Sequence, residues 1–291
     1  MKLFDLHCDT LTEIKRKGER LNKNSCHIAL DDARDVFDSY TQVLAIWSDN
    51  RFCGEENYRR FQETVDYATP ELVEDSFFHP ILAVEGGDLL CGKLERVDVL
   101  ASRSVKIFTP VWQGNCCIGG AYDTVKGLTP FGFAVIERCF SLGIVPDLSH
   151  ASDRMFEEIY SLAKSIGKPM IASHSCSREL CRHPRNLSDE MARRIAETDG
   201  VIGVNLVAEH LGEPSLDAVV HHILHLINVA GEDRVCLGCD FDGTDSLPKE
   251  IRGIRDLPLL AEMLRKYSHS EQTVEKVFYS NAQNFQKRYL G

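Results

Sequence analysis

The sequence predicts an α/β protein folded as a (β/α)8 barrel, also called a TIM barrel, and three observations support this class. Eight short apolar runs alternate with helical patterns along the 291 residues, as in parallel strands joined by right-handed crossovers. The first run ends in HCDT and lacks the glycine-rich turn that a doubly wound open sheet, the competing architecture, usually carries there. No linker or low-complexity tract interrupts the chain, so residues 1–291 are expected to form one domain.

The predicted strands are short runs rich in aliphatic and β-branched residues. The fourth run is the weakest candidate, because Pro110 lies within it and cannot donate a hydrogen bond to a sheet. In chain order the runs are Lys2–Asp9, Gln42–Trp47, Ile81–Glu85, Val105–Val111, Ile144–His150, Met170–His174, Val201–Val207 and Val235–Asp240.

The predicted helices have apolar residues at helical spacing, and several carry end signals. Ser188 precedes two acidic residues, which is typical of an N-cap and a first turn, whereas Gly143 and Gly167 follow their patterns as C-caps. The long stretch Leu11–Asp38 is expected to hold an insertion or a lid. The patterns cover Glu55–Ala68, Leu89–Leu100, Phe131–Leu142, Asp153–Ile166, residues 189–198, Ser215–Ala230, Leu257–Tyr267 and Ser270–Tyr289.

The charge and the hydropathy pattern exclude several classes of partner. The chain has 33 Lys+Arg against 44 Asp+Glu, and its net charge of −11 argues against a nucleic acid as the main partner. It contains no run of about 18 apolar residues that would span a membrane. The N-terminus, MKLFDLHCDT, lacks the features of a secretion signal. We therefore expect a cytoplasmic protein with no membrane partner.

Ligand-type side chains stand at the ends of five predicted strands, where a (β/α)8 barrel places its active site. They comprise three imidazoles and three carboxylates, a set that suits divalent metals such as zinc. One ion rarely uses six such ligands, so two ions that share a bridging carboxylate are expected. Taken singly, a histidine at a strand end is more often a hydrogen-bonded core or rim residue. The residues are His7, Asp9, Glu85, His150, His174 and Asp240.

The remaining histidines give weaker signals. Three share one predicted helix at ligand-like spacing but lack neighbouring carboxylates or cysteines, so we interpret them as a helix face. Those three are His221, His222 and His225. The others lie in loops or near element ends and indicate no site by themselves; they are His27, His79, His183, His210 and His269.

The 11 cysteines are odd in number and irregular in spacing, which favours reduced thiols over a disulfide framework. Cys236 and Cys239 have CxxC spacing but lie on one predicted strand, so they face opposite sides and are poorly placed to chelate one ion. Cys8 and Cys239 are expected to be buried against helices. Cys176 follows the sixth run closely and is the thiol that could face the site.

Six short motifs, spread from residue 5 to residue 243, resemble in their order those of the membrane (renal) dipeptidase family. They are DLHCDT, AVEGGD, DLSHAS, ASHSCS, HPRNLSDE and LGCDFDG. The segments DLPLLAEMLRKY and SNAQNF also resemble the C-terminal end of the family, so the resemblance covers nearly the whole chain. The family consists of zinc peptidases on amidohydrolase-like barrels, and the chain is most similar to its bacterial branch.

The resemblance implies a role for each ligand-type residue. Asp240 would also accept a proton from the bridging water, acting as general base and later as general acid. The implied first zinc is bound by His7, Asp9 and Asp240, the second by His150 and His174, and Glu85 bridges the two.

The resemblance further implies that Arg185, in the segment PRN, holds the C-terminal carboxylate of the substrate. A planar guanidinium fits a carboxylate in a bidentate manner, so the residue type suits this role. The alternative for Arg185 is a solvated loop charge, because loop arginines are commonly exposed.

One departure from the family concerns the segment after the fourth strand. Family members place a histidine there that contacts the substrate and stabilises the tetrahedral intermediate, whereas this chain has no histidine between His79 and His150. Trp112, Gln113 and Asn115 occupy the region and are the candidate substrate-binding residues. Gln113 or Asn115 could donate a hydrogen bond to the oxyanion.

These features predict a metallo-dipeptidase that hydrolyses small dipeptides through a hydroxide bridging two zinc ions. The alternatives are another metal-dependent hydrolase on the same barrel, such as a lactonase, deaminase or phosphoesterase, or a non-catalytic protein that binds metal and peptide. Family members tend to be dimers, so a homodimer is expected from the resemblance.

Overall fold

A seven-stranded parallel sheet organises the backbone in the computed structural model, which describes all 291 residues. Its order is β5-β4-β3-β2-β1-β7-β6, so β1 lies inside the sheet and the chain crosses over between neighbours. Every strand pair is parallel, as predicted. The strands are β1 (Lys2–Cys8), β2 (Ser39–Trp47), β3 (Phe78–Glu85), β4 (Val105–Thr109), β5 (Val145–Pro146), β6 (Ile202–Val204) and β7 (Val235–Leu237).

The prediction of a regular strand at Met170–His174 is wrong. The segment makes only isolated parallel bridges, from Ile171 to Asp147 and from Ala172 to Ile202. Side chains bind two of its backbone amides: the amide of Ser173 donates to the Asp147 carboxylate at 2.8 Å, and that of His174 donates to a serine hydroxyl. These amides are therefore not free to extend a regular ladder.

Two glycines let this segment come close to its neighbours. A Cβ atom on Gly203 or on Gly238 would overlap the carbonyl oxygen of Ser173. Only glycine can therefore stand at these two positions, because any side chain would displace the Ser173 backbone. The glycines thus set how near β6 and the end of β7 lie to the segment that carries His174.

Helices surround the sheet, and most of the predicted ones are confirmed. Serine or threonine hydroxyls cap five of them, including the predicted cap Ser188, and Gly143 and Gly167 end their helices in the left-handed conformation. The helices are α1 (Thr10–Lys17), α2 (Leu30–Val36), α3 (Gly54–Ala68), α4 (Glu95–Ser102), α5 (Pro130–Leu142), α6 (Asp153–Ile166), α7 (Asp189–Glu197), α8 (Ala208–Leu211), α9 (Leu216–Ala230), α10 (Leu257–Ser268), α11 (Glu271–Glu275) and α12 (Asn281–Tyr289).

The stretch Leu11–Asp38, expected to hold an insertion or a lid, contains α2 and all but the first residue of α1. The structure corrects two helical predictions. The helix predicted from Leu89 begins only at Glu95, because Gly87–Leu90 forms a 3₁₀ turn first. The last predicted helix is divided by a π-helical turn at Lys276–Ser280 between α11 and α12. None of the helices is long and apolar enough to cross a membrane.

The buried apolar residues form two clusters. The larger one, of 67 residues, lies mainly between the sheet and the helices and contains Cys8 and Cys239. The smaller one, of 14 residues, lies on the inner side of the sheet, and every one of the eight predicted runs contributes to it. From the runs it takes Phe4, Leu6, Val43, Ala45, Ile81, Ala83, Ile107, Val145, Ile171, Val201 and Cys236.

Helix α12 and the residue after it close the inner cluster at one end. Ala282, Phe285 and Leu290 complete this cluster. Nearby, the ammonium of Lys106, at the start of β4, donates to the carbonyl of Gly291, so the segment covers the N-terminal ends of the strands. The opposite end, where the strands finish, stays available for a site.

Substitution of Phe285 tests how much the packing of α12 against the inner cluster contributes to the stability of the protein. Its ring is fully buried, so Phe285→Ala should lower the free energy of unfolding by about 3–5 kcal/mol through lost burial and a cavity. Urea denaturation followed by circular dichroism measures the change. The control is Lys287→Ala on the same helix, where the side chain is exposed and the change should stay within about 0.5 kcal/mol. Equal stability of the two variants would contradict a packing role for Phe285.

Candidate metal centre

The six ligand-type residues predicted from the strand ends come together at the C-terminal side of the sheet. His7 Nε2 lies 3.5 Å from Asp9 Oδ2 and 3.9 Å from Asp240 Oδ1. His150 Nε2 and His174 Nε2 lie 3.0 Å apart. Their ligand atoms fall into two neighbouring groups, one of His7, Asp9 and Asp240 and the other of Glu85, His150 and His174.

Glu85 lies between the two groups with one oxygen toward each. Its Oε1 is 2.7 Å from His150 Nε2 and 3.3 Å from His174 Nε2. Its Oε2 is 3.6 Å from His7 Nε2. A carboxylate with its two oxygens directed to two sets of ligands is suited to bridging a pair of cations.

The donor set fits divalent cations. The atoms His7 Nε2 and Asp9 Oδ1 are buried and have no hydrogen-bond partner in the protein. Buried polar atoms nearly always have a partner, so two such orphans side by side indicate a missing ligand. Imidazole nitrogens and carboxylate oxygens are ligands that zinc and similar transition metals accept.

Hydrogen bonds to Nδ1 direct the Nε2 atoms of two histidines inward. His150 Nδ1 donates to the carbonyl of Trp112 at 2.8 Å. His174 Nδ1 lies 2.7 Å from the Ser173 hydroxyl, which itself donates to Asp147 at 2.6 Å. In this arrangement Nδ1 carries the proton and Nε2 keeps its lone pair for a metal.

Asp147 is the buried anchor of that network. Its two oxygens also accept hydrogen bonds from the hydroxyls of Thr109 and Ser149 and from the amides of Ser149 and Ser173. The carboxylate is thus fully occupied by donors from three neighbouring segments of the sheet. It holds the segment of His174 in place.

Burial and mutual repulsion raise the pKa values of two of the carboxyl groups. Burial, with the charge of Glu85 nearby, raises the pKa of Asp9 to about 7, and burial raises that of Asp240 to about 6. Burial would also raise the pKa of Glu85, but His150 and His7 hold it well below its usual range. The site therefore disfavours three bare carboxylates, and cations would relieve the repulsion.

The chain after β7 is shaped to present Asp240. Asp240 and Asp242 have left-handed backbone conformations, with φ of 62° and 65°. The Asp242 carboxylate accepts hydrogen bonds from the Thr10 hydroxyl at 2.6 Å and from the His27 amide at 2.7 Å. These bonds connect the turn to the start of α1 and to the loop between α1 and α2. Gly243 follows, where a Cβ would overlap Asp240 Oδ1.

A cavity of about 340 Å³ opens over these residues, and Arg185 lies in its wall. The side chain is buried, with the residue only 3% exposed, so the alternative of a solvated loop charge is wrong. Its guanidinium donates to the Ser175 hydroxyl at 2.9 Å and to the His174 carbonyl at 3.0 Å. It makes no ion pair with any carboxylate of the protein, and its Nε has no partner.

The three candidate substrate-binding residues after the fourth strand differ in their position relative to the cavity. Trp112 lines the cavity, and its ring packs edge-on against that of Trp47 with 4.9 Å between centroids. Gln113 and Asn115 are exposed and do not line the cavity, because the chain turns back through a bridge between Asn115 and Gly120. The same turn brings the next tyrosine into the cavity wall.

Tyr122 and His210 line the cavity although the sequence pointed to neither. No motif marks Tyr122, and His210 lies within the short helix α8 rather than at the end of a predicted strand. Cys176 does not line the cavity; its thiol is buried and donates to Asn205 Oδ1 at 3.3 Å. His222 is a buried structural residue, since its Nδ1 accepts from the Ser177 amide at 3.0 Å.

A wider cleft of about 790 Å³ adjoins the cavity and shares Thr12, Glu13 and Trp47 with it. Cationic side chains from α1 and α3 line the cleft, but acidic neighbours bind several of them; Arg16, for example, donates to Glu13. The cleft therefore continues the cavity toward α1 and α3.

The sequence matches the family model described as membrane dipeptidase, peptidase family M19, over residues 57–288. The chain belongs to this family. A protein encoded 5′ of pqqA in Klebsiella pneumoniae is 31% identical over 223 residues, which cover 72% of this chain and 81% of that protein. An uncharacterized dipeptidase of Schizosaccharomyces pombe is 36% identical over 140 residues, 46% of this chain and 34% of that protein.

Solved M19 structures share the fold of this M19 chain. Dipeptidase AC, a metallopeptidase of family M19, superimposes with a TM-score of 0.91 at 22% identity over 100% of this chain and 99% of that one. A metallopeptidase from Rhodobacter sphaeroides, solved with a phosphinate mimic of the dipeptide L-Ala-D-Ala, gives 0.89 at 22% identity over 99% of both chains.

The hydrogen bond that His174 Nδ1 donates to the Ser173 hydroxyl offers a test of metal affinity in this M19 protein. Ser173→Ala removes the hydroxyl that orients the imidazole, so zinc should bind about 10–100-fold more weakly. Competition with a chromophoric chelator measures the affinity. Ser161→Ala, on the exposed side of α6, is the matched control and should bind zinc as the parent does. Unchanged affinity in Ser173→Ala would show that the orientation does not depend on this bond.

Proton release should accompany metal binding. Asp9 and Asp240, with pKa values of about 7 and about 6, carry protons in much of the metal-free protein at mildly acidic pH. A cation must displace these protons, so zinc affinity should rise as the pH increases through 6 and 7. Calorimetric titrations in buffers of different ionisation enthalpy count the protons released. An affinity that is flat or falls over this interval would contradict the assigned pKa directions.

Proposed function

We propose that this protein hydrolyses the peptide bond of small dipeptides with a free C-terminal carboxylate, using two divalent cations, most favourably zinc. The observation that carries the proposal is a buried, unpaired arginine, Arg185, in the wall of the cavity that holds the six ligand-type residues. One cavity thus offers a carboxylate-binding group beside a set of metal ligands. The membership in family M19 supports a metallo-dipeptidase.

The assignment of ligands to cations follows the two groups. His7, Asp9 and Asp240 would hold one cation, His150 and His174 the other, and Glu85 would bridge them. When bound, the cations would polarise a carbonyl group and supply water activated as bridging hydroxide. This set has three carboxylates, which balance most of the charge of two divalent ions.

Asp240 would move the proton in this reaction. Its carboxylate faces the cavity and lies beside the ligands, within reach of a water held there. It would accept a proton from that water and pass it to the leaving amine. The left-handed backbone at Asp240 places the group above the strand end, where a bound substrate meets it.

Arg185 would select short substrates. Its guanidinium is fixed by Ser175 and by the His174 carbonyl, which leaves its remaining N–H groups for a ligand carboxylate. A substrate that continued beyond this residue would lack the terminal carboxylate that pairs with Arg185. A dipeptide places its scissile carbonyl and its terminal carboxylate one residue apart, which suits two subsites of one cavity of about 340 Å³.

We also propose that the sheet closes into a complete eightfold barrel. The segment Met170–His174 would be the eighth element, since its isolated bridges reach β6 through Ile202 and the residue after β5, Asp147. The inner apolar cluster, to which all eight predicted runs contribute, supports this closure. A closed barrel directs all six ligand-type residues to one mouth.

The test is hydrolysis of a panel of dipeptides by the zinc-loaded protein, with L- and D-residues at the C-terminal position. We expect turnover that stops after chelation and returns with zinc. Arg185→Met should raise KM by about tenfold or more, since a charged hydrogen bond is worth about 1.5–3 kcal/mol. The control is Arg182→Met in the same loop, whose exposed side chain should leave KM unchanged.

Three outcomes would contradict the proposal: turnover that survives complete metal removal, dipeptide binding without any product, or an Arg185→Met variant with the parent KM.

A further inference from the structure

The cavity wall is rich in carboxylates, although the proposed reaction develops negative charge on the substrate. Attack on a peptide carbonyl converts its oxygen into an oxyanion, which needs hydrogen-bond donors or cations around it. The wall carries the carboxylates of Glu13 and Glu209 besides those of the metal ligands. A donor close to the ligand histidines would therefore matter for the reaction.

Tyr122 lies in the wall directly beside a ligand histidine. Its ring centroid is 6.0 Å from that of His150, at an angle of 54° between the planes. The side chain is half-buried and lines the same cavity as Glu85, Arg185 and Asp240. It therefore stands next to the place where a substrate carbonyl must lie to meet the ligand set.

The backbone fixes Tyr122 relative to His150 but leaves the hydroxyl free. The amide of Tyr122 donates to the His150 carbonyl at 2.9 Å, and Ala121 forms an antiparallel bridge with Ala151. These bonds couple the tyrosine to the segment that carries the ligand. The phenol hydroxyl makes no hydrogen bond within the protein, so it is available to a ligand in the cavity.

The hydroxyl is also in the protonation state of a donor. A tyrosine phenol ordinarily has a pKa of about 10, so it carries its proton at neutral pH. A neutral phenol adds no charge to the cavity and donates one hydrogen bond. It stabilises an oxyanion more than a neutral carbonyl, because a hydrogen bond to a charged acceptor is the stronger one.

Two other donors in the wall, Arg185 and His210, already have a proposed role or a partner in the protein. The Arg185 guanidinium belongs to the proposed carboxylate subsite. His210 is held by Asn205 through its Nδ1 at 3.0 Å and neighbours His183, with 4.8 Å between ring centroids. His183 in turn lies 6.1 Å from Tyr122, so Tyr122 is the donor whose ring adjoins a ligand imidazole.

We propose that the Tyr122 hydroxyl donates a hydrogen bond to the scissile carbonyl oxygen of the substrate and stabilises the negative charge that develops there. Tyr122 would then be a catalytic residue that acts in the transition state more than in substrate binding. This inference rests on the proposed dipeptidase function, and it assigns to Tyr122 the role that Gln113 and Asn115, both exposed, cannot fill.

The test compares the zinc-loaded parent with Tyr122→Phe on the dipeptide panel. Loss of an oxyanion donor should lower kcat about 100-fold while KM stays within about twofold, because the bond forms mainly in the transition state. The inhibition constant of a phosphinate dipeptide analogue, which mimics the tetrahedral state, should rise by the same factor by which kcat/KM falls. Equal zinc content and melting temperature in both proteins exclude an indirect effect through His150.

Two controls give the result its specificity. Tyr160→Phe removes a hydroxyl that donates to Glu197 away from the cavity, and it should leave kcat unchanged. His210→Phe removes the competing donor and should have a much smaller effect than Tyr122→Phe. A parental kcat in Tyr122→Phe, a change in KM alone, or a large loss confined to His210→Phe would each overturn the inference.

Two further experiments apply if the parent is inactive or if Tyr122→Phe does not fold. If the parent hydrolyses no dipeptide, the proposed function fails, yet calorimetry with the phosphinate analogue still applies: equal affinity for parent and Tyr122→Phe would overturn the inference. If Tyr122→Phe does not fold, 3,5-difluorotyrosine at position 122 retains the ring and acidifies the phenol. Its kcat should then fall above the lowered phenol pKa, because a phenolate cannot donate, and an unchanged pH profile would overturn the inference.

Discussion

The burial of three carboxylates around one point is the constraint on which the rest of the site depends. Asp9, Glu85 and Asp240 lie together at the strand ends with little access to water, and Glu85 takes part in both groups of ligands. Three such charges repel one another strongly in a medium of low polarity. The three imidazoles compensate only part of this repulsion. Cations are needed to balance the remaining negative charge.

The surrounding polar network keeps these charged groups from relaxing away from one another. Asp147 collects donors from three segments of the sheet and, through Ser173, fixes His174, while the Trp112 carbonyl fixes His150. Gly243 leaves room for the Asp240 carboxylate. A site that must bind small cations at defined positions needs such supporting bonds, since a side chain that moves freely binds the cation less tightly.

The strand-end pattern was sufficient to predict that the six ligand-type residues lie together, because parallel strands must finish at the same edge of a sheet. Seven of the eight predicted runs form strands, and Met170–His174 does not. There the Asp147 and Ser149 side chains bind the backbone amides, a tertiary effect without local signal. Gln113 and Asn115 were chosen from their nearness in sequence to the fourth strand. Only the fold of that loop shows that Tyr122 enters the cavity.

The central place of β1 in the sheet has a consequence for biosynthesis. β1 leaves the ribosome before β7, but Asp5 pairs with Leu237 in β7, which is made about 10–50 s later at about 5–20 residues per second. Until then one edge of β1, a strand with apolar residues at four of its seven positions, has no partner, although β2 can cover the other edge. An open apolar edge is a template for intermolecular pairing. The chain is therefore most prone to aggregate during translation, before β7 has been made. A chaperone that shields β1 at that stage would reduce this risk most.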